Sequence, residues 1–492
     1  MSTERSDILA NKYHILNPTL KKETHTYDLE GISPFDAGIP LLDISDSTIE
    51  EIYYFRWHTF CHHIKTTPEG YVITEFYPPV PWAGKYNTIN CPAMHHFNEG
   101  RWLYNREYLS DYAKFWFTED AERRKYSFPA AYSILEACRV WNDFTIAESL
   151  YEPMKENYFE WKRSHGRECG LFYQTDNRDG MEYSVSGPGF RPTINSYMYA
   201  ESRALSEIAT RKGFTKESEA FALEAKKLRE LINTRLWDEN AQFYKNLAER
   251  KNYTLADVRE EIGYIPWCFN IPEKRMSVAW KFLNDENYFA APYGPTTAER
   301  NHPDFMKEFD HECLWNGPSW PFATCQTIGA MANLLKNHNG TYVTKSDLFA
   351  LLKQYASCQY ITENGEKRPF IDENLDPFTG EWLARKILHS IRPIRDDADR
   401  GRDYNHSTFC DLVITCLCGI SVEGGVIAID PLFGENDIDY ICLDGVSAGT
   451  HSITLLWDKN GLRYGKGTGL HIYVDGTEYA HSDSITKISI QL

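Results

Sequence analysis

Residues 170–184 read Gly170-Leu171-Phe172-Tyr173-Gln174-Thr175-Asp176-Asn177-Arg178-Asp179-Gly180-Met181-Glu182-Tyr183-Ser184. Three carboxylates, Asp176, Asp179 and Glu182, share this stretch with an arginine and aromatic rings, and glycines punctuate it. An ordinary solvated acidic loop has no use for aromatic neighbours. A catalytic acid does, because partial desolvation raises its pKa, so that it stays protonated and can donate. Segments of helical periodicity at 145–163 and 193–211 flank the stretch, which makes it a loop held between helices.

The same alternation continues in both directions. A helix opens near Asp46 or Ser47, either of which can cap it, and further helices are predicted at 98–117, 129–143, 215–237, 274–284, 319–336, 345–357, 379–390 and 406–420. In 215–237, Phe221, Ala225, Leu228, Ile232 and Leu236 fall on one face at helical spacing. Most of these helices pair as hairpins, and strands are scarce before residue 420. Residues 68–92, rich in Pro and Gly, form a long irregular loop that carries Trp82 and Tyr86. The last seventy residues change character. Val426–Ile429, Thr450–Trp457 and His471–Val474 read as strands, with turn signals at Asn460-Gly461 and Asp475-Gly476. The expected division is a lead-in at 1–45 packed on the main body, a helical body at 46–420, and a small C-terminal β-domain, β-sandwich-like, at 421–492. The last is read as a structural cap rather than a carbohydrate-binding module.

Three more loops carry candidate chemistry. Phe370-Ile371-Asp372-Glu373-Asn374-Leu375-Asp376-Pro377-Phe378-Thr379-Gly380-Glu381-Trp382 holds a carboxylate pair before a helix. Asp376 or Thr379 there is a natural helix cap, a role that leaves Glu373 unexplained. Trp315-Asn316-Gly317-Pro318-Ser319-Trp320-Pro321-Phe322 brackets a turn with two indoles, and Asp403-Tyr404-Asn405-His406-Ser407 opens the last helix. His95 and His96 are adjacent and point apart on a helix, so no metal site is expected there.

Composition narrows the function classes. The 492 residues carry a formal charge of −18, which opposes nucleic acid and anionic membrane surfaces as partners. Aromatics reach 14%, with 13 Trp and 31 Tyr, a supply of flat rings that suits the apolar face of a pyranose. The 12 Cys form no CxxC pair and read as reduced thiols, and the polar start Met1–Asp7 has no apolar signal core, so a cytoplasmic protein is expected.

At its four loops the sequence resembles the six-hairpin glycosidases, above all glycoside hydrolase family 63 and its mannosylglycerate-hydrolase-like branch. In that resemblance Asp179 matches the general acid within Thr175–Ser184, and Glu373 matches the general base within Glu373–Gly380. Gly317-Pro318-Ser319-Trp320-Pro321 and Tyr404-Asn405-His406-Ser407 match two further family segments. The resemblance implies an (α/α)6 barrel and an exo-acting, inverting hydrolase with a carbohydrate substrate and neither cofactor nor metal. Inversion places the two carboxyls about 6.5–9.5 Å apart, with room for water. Arg178, Glu182 and Arg191 are expected to orient hydroxyls or tune the acid, with Trp82, Tyr86, Phe172, Trp315, Asn316, Gly317, Trp320 and His406 around the sugar. Two departures bear on the substrate: the segment Lys85–Cys91 lacks the family's Trp-Asp pair, and His406 stands where many relatives have Trp. An epimerase working through His pairs, or an inactive sugar-binding protein, is the alternative on the same barrel.

Overall fold

Burial sorts the helices into two kinds. Ser47–His62, Pro192–Arg211 and Pro321–His338 are buried around most of their circumference. Tyr151–His165 and Thr215–Leu231 bury one stripe each, Phe221, Ala225 and Leu228 in the latter. Helices of the first kind must lie inside and those of the second must cover them, so the helical body has an inner and an outer layer. A computed structural model describes residues 11–249, 252–338, 342–391 and 398–491; the polar start Met1–Asp7 lies outside the described residues. Among the described residues no helix is long and apolar enough to cross a membrane.

Local chemistry sets the helix ends. Asp46 Oδ1 accepts from the amides of Thr48 and Ile49, both at 3.1 Å, and so caps Ser47–His62. Pro192 sits in the first turn of Pro192–Arg211, where a missing N–H costs nothing. Arg56, 2% exposed, donates to Tyr355 Oη at 3.2 Å, to Gln359 Oε1 at 2.9 Å and to the Ser407 carbonyl, which ties the first inner helix to Lys345–Cys358 and to the 403–409 loop.

Several predicted helices are shorter than expected. The segment 98–117 divides into Ala93–Gly100 and Glu107–Phe115. Near the break, a Cβ on Gly100 would come within 3.0 Å of Leu109, so the two pieces meet closely there. The segment 274–284 winds as a tighter 3-10 helix, and 406–420 reduces to Cys410–Leu412 followed by a π turn. The segment 379–390 begins only at Leu383. Asp376 caps a turn by accepting from Phe378 and Thr379, whereas Asn374 Oδ1 accepts from the Ala384 amide at 2.9 Å. Among the described residues, four two-stranded ladders also interrupt the helical body, each strand two to four residues long.

A five-stranded antiparallel sheet runs in the order Leu41–Ile44, Tyr440–Ala448, His451–Asp458, Gly469–Val474, Thr477–Ser482. Ile420–Glu423, Val426–Ile429 and Ile488–Gln491 form a separate three-stranded sheet. Leu41 pairs with Asp444 and Ile44 with Ile441, so residues before the first long helix complete the large sheet. Asp444, fully buried, accepts from the amides of His14, Ile15 and Leu16 and from Thr454 Oγ1, which anchors the lead-in a second time. Asp475-Gly476 makes the tight hairpin turn its residues suggest. Asn460-Gly461 instead lies in a longer loop, held where Asp458 accepts from Gly461 and Arg463.

Candidate active site

Backbone bonds lock the quoted loops together. The Trp315 amide donates to the Glu182 carbonyl at 3.0 Å, which joins the first acidic loop to the tryptophan turn. Ser319 and Leu375 exchange bonds of 3.0 and 2.9 Å, which join that turn to the Glu373 loop. Asp403 donates to the Ile371 carbonyl and Asn405 to that of Glu75. The structure thereby adds a fifth segment, the end of the ladder strand Gly70–Ile73, and places Glu75 in the group.

The carboxylates of this group differ sharply in circumstance. Glu373, 1% exposed, accepts from Cys313 Sγ at 2.8 Å and from Arg400 Nε at 3.2 Å. Arg400 also bonds Glu312 at 2.6 Å, and its guanidinium lies 4.9 Å from the centre of the Trp82 ring. Burial lifts Glu182 to about 7, aided by the negative charge of Glu373. Burial lifts Glu75 to about 8, although Tyr404 Oη donates to it, and Glu373 and Glu182 add to the rise. Asp372 is pushed to about 7 by burial and by Glu373. Each of these acids is therefore held toward its protonated form, by burial first and by its carboxylate neighbours second.

Asp179 is placed differently. Its Oδ2 accepts from Arg191 Nε at 2.7 Å and its Oδ1 from Ser127 Oγ at 2.5 Å, with both members of the ion pair fully buried. Its pKa is raised overall, because burial outweighs Arg191 and Ser127, which pull it down. Arg191 spends its remaining donors on Ser184 Oγ, the Gly187 carbonyl and Met181 Sδ. The pair fixes the turn from Asp176 to Ser184, at whose crest Gly180 adopts φ +74° with Cys91 Sγ crowding the place where a Cβ would stand.

Aromatic rings wall the group. Trp315 and Trp320 stack at 4.6 Å, His406 stacks on Tyr404 at 3.9 Å, and Trp320 meets His406 edge-on at 6.1 Å. Burial pushes the His406 pKa well below the ordinary value, and among the described residues neither ring nitrogen completes a hydrogen bond. Asn316 clamps the turn by donating to the carbonyls of Asp304 and Lys307, and Gly317 leaves space that Met306 and Phe305 occupy. Thus Glu182, Glu373, Trp82, Trp315, Trp320 and His406 come together. Phe172 lies in the core near Tyr158, Tyr86 packs toward Phe115, and Arg178 is exposed over Tyr126. His96 spends both nitrogens, on Tyr112 Oη and the Asn405 carbonyl. Sequence reading missed Glu75, Cys313 and Arg400. Glu75 had a usable signal, a lone acid flanked by Ile73 and Phe76 in the loop region already marked; the other two had none.

The profile of the Mannosylglycerate hydrolase MGH1-like glycoside hydrolase domain matches residues 85–407, a span that contains the site's loops except the stretch that carries Glu75 and Trp82. The chain belongs to this family. Among solved structures, the MGH1-like chain is 36% identical to one named Sialidase, with a TM-score of 0.87 over 99% of its own length and 44% of the other chain. An α-L-rhamnosidase from Dictyoglumus thermophilum aligns at 12% identity and TM-score 0.53, over 91% of this chain and 45% of that one. A GH63 mannosylglycerate hydrolase from Thermus thermophilus, in complex with glucose, aligns at 11% identity and TM-score 0.50, over 70% of this chain and all of that one. The MGH1-like chain therefore spans less than half the length of the Sialidase and rhamnosidase chains it matches. No curated protein matches it.

Proposed function

We propose that this chain hydrolyses the terminal glycosidic bond of a carbohydrate with inversion, on helices closed as an (α/α)6 barrel. The two helical layers support the barrel. Glu373 acts as general base: Cys313 and Arg400 both donate to its carboxylate, which favours the charged form that can take a proton from water. The acid's role was expected for Asp179, but the observations favour Glu182. Asp179 is committed to the always-charged Arg191, whose burial demands a counter-charge. Glu75, Asp372 and Glu182 are all lifted to about 7–8, and of these Glu182 alone stands on the acidic loop, where its carbonyl holds the tryptophan turn; that placement, with a proton kept near neutral pH, carries the reading. It would protonate the leaving oxygen while Glu373 activates water on the opposite face of the ring. Asp179 and Arg191 then hold the Glu182 turn in place.

The test is proton NMR of a panel of α- and β-linked disaccharides and aryl glycosides incubated with the wild type, Glu373→Ala and Glu182→Gln. A sugar released with inverted anomer by the wild type alone supports the pair. Activated aryl glycosides, which need no acid, should be rescued in Glu182→Gln and not in Glu373→Ala. Glu182→Gln at full rate on a disaccharide would return the acid's role to Asp179. A product of unchanged mass would point to isomerisation.

A further inference from the structure

Beside the catalytic loop lies a cavity of about 530 Å³, within the size range of small-ligand sites. Its charged walls are Arg123, Arg124, Lys125 and Arg178 against Glu119 and Glu122. The protein as a whole carries −18, so a net positive hollow runs against its overall charge. Lys125 is neutralised by Glu122 at 2.7 Å. The three arginines are not: among the described residues none has a carboxylate oxygen within 4.0 Å. Arg124 donates to the side-chain carbonyl of Asn157 at 3.2 Å and Arg123 to the Thr118 carbonyl at 3.1 Å, both neutral acceptors. Arg123 Nε is buried and unpartnered. Glu156 and Glu160 of helix Tyr151–His165 act on Arg123 only at longer range, and Arg124 opposes its charge. Glu160 also acts on Arg124 at such range, and the planar forks of the three arginines, with Arg178 exposed among them, suit a carboxylate as a bidentate partner.

Position relates this hollow to the chemistry. Arg178 immediately precedes Asp179, and its carbonyl accepts from the Ser127 amide at 2.9 Å. Lys125 donates to the Trp82 carbonyl at 2.8 Å, and Trp82 underlies Arg400. Burial raises the Tyr126 pKa, Glu75 and Glu182 add to the rise and Arg178 opposes it, so Tyr126 is within electrostatic reach of both regions. Among the described residues, the arginines bonded to the catalytic carboxylates are already engaged: Arg400 with Glu373 and Glu312, and Arg191 with Asp179, while Arg178 acts on Glu182 only at longer range. An anionic sugar ring would be repelled there and accommodated next door.

We infer that the arginine-lined cavity binds the carboxylate of an acidic sugar on the leaving-group side of the scissile bond, while the carboxylate-rich group takes a neutral sugar. The substrate class is therefore a neutral terminal sugar linked to a uronate-bearing oligosaccharide. This inference rests on the hydrolytic reading, but its first test is binding and does not require turnover. Calorimetric titration with trigalacturonate is compared with a neutral trisaccharide and with inorganic sulfate, for the wild type and Arg124→Ala, with thermal unfolding as the folding control. The expected result is binding of trigalacturonate alone, weakened about tenfold in Arg124→Ala, largely restored in Arg124→Lys and falling with added salt. Equal affinity in wild type and Arg124→Ala, or no binding at all, overturns the proposal. Sulfate binding as tightly as trigalacturonate would make the cavity a small-anion site and also overturn it. Loss of hydrolysis in Glu373→Ala with uronate binding intact separates the two readings.

Discussion

Asp179 and Glu182 stand three residues apart, and their environments prepare them for different work. Asp179 closes a fully buried ion pair, so Asp179→Asn leaves Arg191 without a counter-charge and should cost about 3–5 kcal/mol of stability, read by chemical denaturation. Glu182→Gln removes a largely protonated acid, so stability should hold while turnover on disaccharides falls by about 10²–10⁴. The reverse pattern would exchange their roles. The pH profile bears on the same assignment: kcat/KM should decline above about pH 7 as Glu182 loses its proton. Cys313 serves the other carboxylate, because its thiol donates to Glu373 and helps to orient it. Cys313→Ala should lower kcat/KM on disaccharides by up to about tenfold, and Cys313→Ser should restore most of it. Unchanged kinetics in the alanine variant would leave Cys313 as packing alone.

At the scale of elements, the loops matter more than the helices they connect. Asn374 shows how one side chain serves both. It accepts from Ala384 at the start of Leu383–Ile391 and donates to the Glu312 carbonyl, directly beside Glu373. Asn374→Ala should lose about 1 kcal/mol as a cap and reduce turnover as well, since Glu373 shares its backbone. Stability loss with unchanged kcat would confine Asn374 to capping. Helices with a clean apolar stripe were legible in the sequence: Phe221, Ala225, Leu228, Ile232 and Leu236 are all buried as the spacing requires. What was not legible follows from short-range chemistry losing to long-range contacts. Asp376 looks like a helix cap but caps a turn, because Asn374 from across the loop already holds the helix start. The two-residue ladders leave no alternation to read. The acidic loop and the Glu373 loop were visible as clusters. Which acid faces Glu373 was not, because it depends on Arg191, seven residues beyond Ser184, folding back onto Asp179.

Across the whole molecule, buried titratable groups set the pH range of the fold. Glu75 and Glu201 are lifted to about 8, and Glu99, Glu182 and Asp372 to about 7, mainly by burial. Between their ordinary values and these, the unfolded chain has released protons that the native state keeps, so each group loses stability as pH rises. Burial holds His95 near 3 and His96 near 4, below the ordinary 6.5. Below pH 6.5 the unfolded chain gains protons that these native histidines refuse, so their contribution is lost as pH falls. The two sets oppose each other between about pH 4.5 and 6.5 and leave a broad maximum there. Calorimetry should find Tm falling from pH 6.5 to 8 and again below pH 4.5. A Tm still rising at pH 8 would contradict the burial of these acids.

The strand Leu41–Ile44 finds its sheet partner about 400 positions later in the chain, at Tyr440–Ala448. During synthesis it therefore leaves the ribosome long before anything exists for it to pair with, about 20–80 s at the usual rate of translation. Through that interval three apolar side chains, Leu41, Leu42 and Ile44, which end 0–2% exposed, stand open on a strand edge. The helices can assemble as they emerge, but the large sheet is sealed only once Tyr440–Ala448 has followed, so the nascent chain must be kept from its neighbours until that strand arrives.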